Sequence, residues 1–262
     1  MTDETVILEA SGVVKSFGGI MAVAGPSFQV NRGSITALIG PNGAGKSTLF
    51  NILTGFLRAD AGTIAFEGQR VDGLPAYRIA RLGMVRTFQL AKMFRRLTVL
   101  ESLLVANPNQ PGERFGRGVI RPRLVAARER EGLDRARSLI ELLNLTRVAD
   151  IPTANLSGGQ QKLVELGRAL MIEPSLIMLD EPMAGVNPAL GLRLLERIRA
   201  LRDDLGITFL FVEHDMEVVM SVSDRVLVLD DGHLIADGTP DKIRQDPRVI
   251  DAYLGRNMNE GA

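Results

Sequence analysis

Residues 34–48 read SITALIGPNGAGKST, an apolar run that ends at Gly40 and passes directly into GPNGAGKST (Gly40–Thr48). The loop fits the pattern GxxxxGK[ST], with strand character before it and a helical stretch, STLFNILTGF, after it. Glycines let successive backbone N–H groups turn toward one anion, and the start of the following helix adds partial positive charge. Gly40, Pro41, Asn42, Gly43, Ala44, Gly45, Lys46, Ser47 and Thr48 are therefore expected to cradle the phosphates of a nucleotide. The Lys46 ammonium should reach the β- and γ-phosphates, and the Ser47 hydroxyl should ligate Mg²⁺.

Downstream, SLIMLDEP (Ser175–Pro182) reads as a short buried strand that ends in two carboxylates. Asp180 stands where it can hold Mg²⁺ directly or through water, and Glu181 where it can polarise an attacking water. Between these two stretches lies LSGGQ (Leu156–Gln160). Ser157, Gly158 and Gly159 open a helix with exposed N–H groups, which in physical terms is a second anion site. A single nucleotide needs only one phosphate cradle, so the second requires its own explanation.

The rest of the chain frames these motifs. VILEASGVV, SFQV and the NRG turn suggest an N-terminal β region, and strands then alternate with helices, as in an α/β core with parallel strands. From about Val99 to Ala149 the pattern is helical, with Leu139, Leu142 and Leu143 on one face. NPNQPGERFGRGVIRP (107–122) reads as a loop within that region. Leu163, Leu166, Gly167, Leu170 and Met171 continue the helix after LSGGQ. Asn187 and Pro188 resemble an N-cap and first-turn proline. Leu194, Ile198, Leu201 and Leu205 should face inward on the helix they open, with Gly206 closing it. Asp231-Gly232 marks a tight hairpin.

The 262 residues suit one large domain, and no internal repeat is present. Basic and acidic residues balance at 31 each, which argues against general attraction to nucleic acid or an anionic membrane. Cysteine is absent, which excludes disulfides and thiolate metal sites. MTDETVILEA does not read as a secretion signal, and the apolar runs are too short to span a bilayer. A soluble, cytoplasmic protein is expected.

LSGGQ between a GPNGAGKST loop and an LDEP strand resembles the ATP-binding subunit of ABC transporters, over nearly the whole chain. The resemblance implies a P-loop NTPase core with a mainly parallel sheet, an N-terminal antiparallel β region and an inserted α-helical lobe. The ATP-binding domain would cover 6–254, with the lobe at about 90–165 and a tail at 255–262. ATP and Mg²⁺ are the implied cofactors. In that family two subunits pair head to tail, each ATP being held by one chain's phosphate loop and the other's Ser157, Gly158, Gly159 and Gln160. The second cradle would thus serve a neighbour's nucleotide. By the same resemblance Phe17, in KSFGG, stacks on adenine, a place where the family more often has Tyr. Gln89, in RTFQ, touches Mg²⁺ and water and joins the core to the helical lobe. His214, in VEHDM, contacts the γ-phosphate, whereas His233 reads as a surface hairpin residue. The implied catalytic set is Glu181, His214, Lys46 and Gln89, and the implied metal set is Ser47, Gln89 and Asp180. Asn187 stands where the family commonly has Asp.

AGVNP, VEHDM, RTFQLAKMFRRLTVLESLLVA and a terminal DAYLG together resemble one subgroup, the ATPase subunits of bacterial branched-chain amino acid importers. This implies a second ATPase subunit, identical or related, two membrane permease subunits and, indirectly, a periplasmic binding protein, with no nucleic acid. The chain would sit peripherally on the inner face of the membrane. Urea or amide importers and lipopolysaccharide exporters share much of the pattern. A soluble ABC ATPase outside transport fits less well. Repair types need a long coiled coil before LSGGQ, and ribosome-associated types carry two cassettes.

Overall fold

The computed structural model describes residues 6–87, 95–108 and 122–257. The chain divides into two units, one formed by Met1–Arg86, Ser175–Ala184 and Ile198–Ala262, the other by Thr87–Pro174 and Gly185–Arg197.

The first unit begins with β1 (Val6–Phe17), β2 (Ile20–Ala24), β3 (Phe28–Asn31) and β4 (Ile35–Ile39), followed by α1 (Lys46–Leu53). Next come β5 (Ala61–Phe66), β6 (Gln69–Arg70), α2 (Ala76–Arg81) and β7 (Met84–Arg86). The second unit supplies α3 (Val99–Val105), α4 (Pro122–Leu142) and α5 (Gly158–Leu170). The chain then forms β8 (Leu176–Asp180) and α6 (Pro188–Leu205), whose residues are shared between the units. It finishes with β9 (Thr208–Val212), α7 (Met216–Val222), β10 (Arg225–Asp230), β11 (His233–Gly238), α8 (Pro240–Arg244) and α9 (Pro247–Asn257).

Two sheets organise the first unit. In one, β1 pairs antiparallel with β2, β3 and β5, and β6 extends it from β5. The other runs β11-β10-β4-β9-β8-β7 and is parallel except for the β10–β11 hairpin. The expected α/β fold, with a mainly parallel sheet, an antiparallel β region and a helical lobe, is the one observed. Parallel strands are covered on both faces and so must be apolar throughout. Every residue of ITALI in β4 and of TFLFV in β9 is buried. Of their two threonines, the Thr208 hydroxyl accepts from Gly33 N–H at 2.9 Å, and the Thr36 hydroxyl lies 3.5 Å from that of Ser34. Leu49, Phe50 and Leu53 of α1 join one apolar core with Leu8 and Phe66 of the first sheet and Leu38 and Met178 of the second. Each such side chain contributes about 1.5–3 kcal/mol relative to exposure. The hairpin turn has positive φ at both Asp231 (43°) and Gly232 (79°), the type I′ geometry that an Asp-Gly pair favours.

In the second unit Leu103, Leu139 and Leu143 are buried, while Leu142 is half-buried. Gly167 allows close helix packing: a Cβ there would lie 2.9 Å from Leu143 Cδ1. On α6, Leu194, Ile198 and Leu201 are buried as their spacing predicts, but Leu205 is 56% exposed. Gly206, at φ 67°, ends the helix immediately after Leu205. The apolar stripe therefore runs one turn past the core that covers it.

Candidate functional site

Strand order explains how distant motifs converge. β4, β9 and β8 are parallel neighbours, with Leu38 and Asp180 both in register with Val212. Their carboxyl ends share one sheet edge, where open α/β sheets place ligand sites. Gly40 leaves β4 there, Glu181 leaves β8, and Glu213 and His214 leave β9.

The phosphate loop is shaped by close backbone approach. A Cβ on Gly40 (φ 151°) would lie 2.0 Å from the Leu229 carbonyl oxygen, and one on Gly45 (φ 95°) 2.2 Å from that of Ala22. Neither contact is attainable for a residue with a side chain, so the glycines are steric necessities. Ala44 is buried, its N–H donates to Pro41 O at 3.2 Å, and its carbonyl accepts from Gly232 N–H at 3.1 Å. The Lys46 ammonium donates to the carbonyls of Gly40 (2.7 Å) and Pro41 (2.9 Å), which holds the charge over the loop. Gly45 is the N-cap of α1 and supplies no side-chain cap. That leaves the helix start suited to an anion.

Asp180 is engaged by a residue that the motifs did not single out. Arg86 donates through Nη2 to Asp180 Oδ2 at 2.5 Å and through Nη1 to Asn51 Oδ1 at 2.6 Å, with its side chain only 7% exposed. Glu181 adopts φ 47°, a left-handed conformation uncommon outside glycine. Its N–H donates to Val212 O at 3.0 Å, and its carbonyl accepts from Ala184 N–H at 3.1 Å. Glu213 is fully buried. Its Oε1 accepts from Met183 N–H at 2.8 Å and its Oε2 from His214 N–H at 3.2 Å. Burial pushes the Glu213 carboxyl above the ordinary carboxylate range, opposed by these two N–H groups and by His214; Glu181 nearby adds to the rise. The His214 side chain is 68% exposed, with Nδ1 3.8 Å from Glu213 Oε2.

Phe17 ends β1 and is 48% exposed, outside the core. The Lys15 ammonium lies 5.5 Å from its ring centroid and also donates to Asp60 Oδ1 at 2.7 Å. That hydrogen bond and the Ser16 N–H hold the Asp60 carboxyl below its usual range. His233 is exposed on the hairpin, as expected. Gln89 lies outside the described residues.

In the second unit Ser157 is the N-cap of α5 and forms a capping box with Gln160. Gln160 Oε1 accepts from Ser157 N–H at 3.0 Å, and Ser157 Oγ accepts from Gln160 N–H at 3.4 Å. Ser157 and Gly158 are exposed, so this helix start is open to solvent. A Cβ on Gly159 would come within 2.8 Å of Leu190 Cβ. Ser157, Gly159 and Gln160 line a cavity of ≈ 330 Å³ together with Leu190, Arg193 and Arg197.

Sequence reasoning missed Arg86 and Glu213. Both lie inside quoted motifs, RTFQ and VEHDM, but their importance comes from strand neighbours: β7 lies beside β8, and β8 beside β9.

A glycine-shaped phosphate loop at the head of α1, with Asp180 and Glu181 at the same sheet edge, defines a P-loop nucleotide-binding cassette. Residues 23–184 match the family model described as ABC transporter, and 233–257 match that described as branched-chain amino acid ATP-binding cassette transporter. The chain belongs to the ABC transporter family, as its ATP-binding subunit. It is 43% identical to the high-affinity branched-chain amino acid transport ATP-binding protein BraF of Pseudomonas aeruginosa, over 95% of this chain and 98% of the relative. Identity and coverage are the same for the protein LivG of Escherichia coli, which bears the same description. A crystal structure of a nucleotide-free ATP-binding cassette from an ABC transporter superposes with a TM-score of 0.83 at 38% identity, covering 95% of this chain and 99% of that one. Among the described residues no helix is long and apolar enough to cross a membrane.

Proposed function

We propose that this chain binds ATP with Mg²⁺ and hydrolyses it to drive import of branched-chain amino acids. It would work from the inner face of the membrane with two permease subunits, a second ATPase subunit and a periplasmic binding protein. The observation that carries the substrate reading is 43% identity, spanning nearly all of each chain, to proteins named for branched-chain amino acid transport. The match at 233–257 supports it independently of the phosphate-loop motifs.

The residues present suit a nucleotide–metal complex. No cluster of three or more His, Cys, Asp or Glu able to hold a metal occurs among the described residues. Mg²⁺ takes few protein ligands and relies on phosphate oxygens and water, and the Asp180 carboxylate at the end of β8 is an oxygen ligand of the kind it accepts. Ser47 and Asp180 would hold it, with Gln89 as a third contact, and it would supply charge neutralisation at the phosphates. Phe17 offers an exposed face for adenine, and Lys46 and backbone N–H groups within Gly40–Thr48 bind the phosphates. Glu181 orients water for attack on the γ-phosphorus, and Lys46 and His214 stabilise the charge that develops there. Ser157, Gly158, Gly159 and Gln160 of a neighbouring subunit would close over the same nucleotide, as a second helix start facing anionic oxygens.

The test is uptake of radiolabelled leucine, isoleucine and valine by cells lacking this chain. Uptake should fall and return with the wild-type gene but not with Lys46→Ala. Unchanged leucine uptake with lost urea uptake would replace this reading with an amide importer. Lys46→Ala itself should weaken ATP binding about tenfold or more, since charge-assisted contacts of this kind contribute about 1.5–3 kcal/mol. Calorimetry with unchanged affinity would remove Lys46 from the phosphate site.

A further inference from the structure

Glu213 is a fully buried carboxyl group that the reaction does not consume, and it ties together the two segments that carry Glu181 and His214. The turn after β8 is fastened twice to the end of β9. Glu181 N–H donates to Val212 O at 3.0 Å, and two residues later Met183 N–H donates to Glu213 Oε1 at 2.8 Å. Between these anchors the backbone holds Glu181 at φ 47°, a conformation that persists only where its surroundings impose it. The second carboxylate oxygen accepts the His214 N–H at 3.2 Å, so one side chain fixes the origin of both reactive groups.

We infer that Glu213 is a positioning residue for the hydrolytic step, clamping the Glu181 turn and the His214 segment into one rigid unit. The inference rests on Glu181 being the water-orienting residue. A carboxylate suits the task because each of its oxygens accepts, and the two N–H groups approach from different segments. Its burial is tolerable because both oxygens are engaged. Loss of the clamp should let the turn relax from its left-handed conformation and displace the Glu181 carboxylate. Displacements of about 1 Å can cost about a hundredfold in rate without loss of substrate binding.

The experiment compares Glu213→Ala, Glu213→Gln and Glu181→Gln in the full-length chain, measuring ATP affinity, kcat, KM and hydrogen exchange at the Met183 amide. Glu213→Ala should lower kcat by about a hundredfold, leave ATP affinity and KM near wild type, and lose protection at Met183. Glu213→Gln keeps a carbonyl oxygen for Met183 N–H but turns an amide NH₂ toward His214 N–H, and should restore Met183 protection and part of the rate. Wild-type kcat in Glu213→Ala, or a parallel loss of ATP affinity and rate in both Glu213 variants, would overturn the positioning role. Wild-type turnover in Glu181→Gln would instead overturn the underlying assignment of Glu181, and the inference with it. If Glu213→Ala does not fold, kcat and Met183 protection in Glu213→Gln decide: wild-type kcat with an unprotected Met183 amide also overturns the clamp.

Discussion

Replacing Glu181 with Gln is expected to slow ATP hydrolysis by about a hundred- to ten-thousandfold, the usual contribution of a positioned general base. Gln is nearly isosteric and keeps the backbone anchor of Glu181 N–H on Val212 O. The left-handed turn should therefore survive, and the phosphate loop, whose Gly40 and Gly45 pack on the Leu229 and Ala22 carbonyls, should bind ATP as before. The variant should accumulate as an ATP-bound dimer, because closure no longer ends in hydrolysis. Phosphate release and size-exclusion chromatography with ATP test both halves. Turnover near that of the wild type would remove Glu181 from the reaction.

The other large effect is expected for Ser157→Arg. Its hydroxyl caps α5 through Gln160, and its neighbours in the cavity include Arg193 and Arg197. A third guanidinium would remove the cap, at about 0.5–2 kcal/mol, and place a bulky side chain over the helix start. If that helix start serves the nucleotide of a second subunit, ATP binding by the isolated monomer should stay within about twofold, since the site's own loop lies elsewhere in sequence. ATP-driven dimerisation and hydrolysis should be abolished. Mixing this variant with Lys46→Ala restores at most one composite site, the one that combines an intact phosphate loop with an intact Ser157. A large loss of ATP affinity in the Ser157→Arg monomer would show that LSGGQ acts within its own chain.

The parts of the site legible in sequence are those written as contiguous motifs. GPNGAGKST carries its own explanation, because Gly40 and Gly45 are demanded by carbonyls lying where side chains would have to be. LDEP was readable because its two carboxylates end an apolar strand in a chain that also carries the GPNGAGKST loop. Phe17 was legible only by resemblance, and its exposure now excludes a core role. Arg86 and Glu213 were not legible. An arginine ending a short strand and a glutamate before a histidine acquire meaning only when β7, β8 and β9 are set side by side. Leu205 was misread for a related reason: helical periodicity reports the direction a side chain faces, but not where the opposing surface ends.

The phosphate loop is made early in the chain, yet part of the surface that shapes it is synthesised late. Gly40 is pressed against Leu229, Ala44 accepts a hydrogen bond from Gly232, and β4 lies between β9 and β10. A ribosome that has released the first hundred residues has therefore delivered the motif with the Ala22 wall but without the Leu229 and Gly232 one. In such a nascent chain the apolar faces of β4 await β9 and β10, which emerge much later. Chains stalled before β10 should fail to retain ATP on ribosome pelleting, whereas chains released past β11 should retain it.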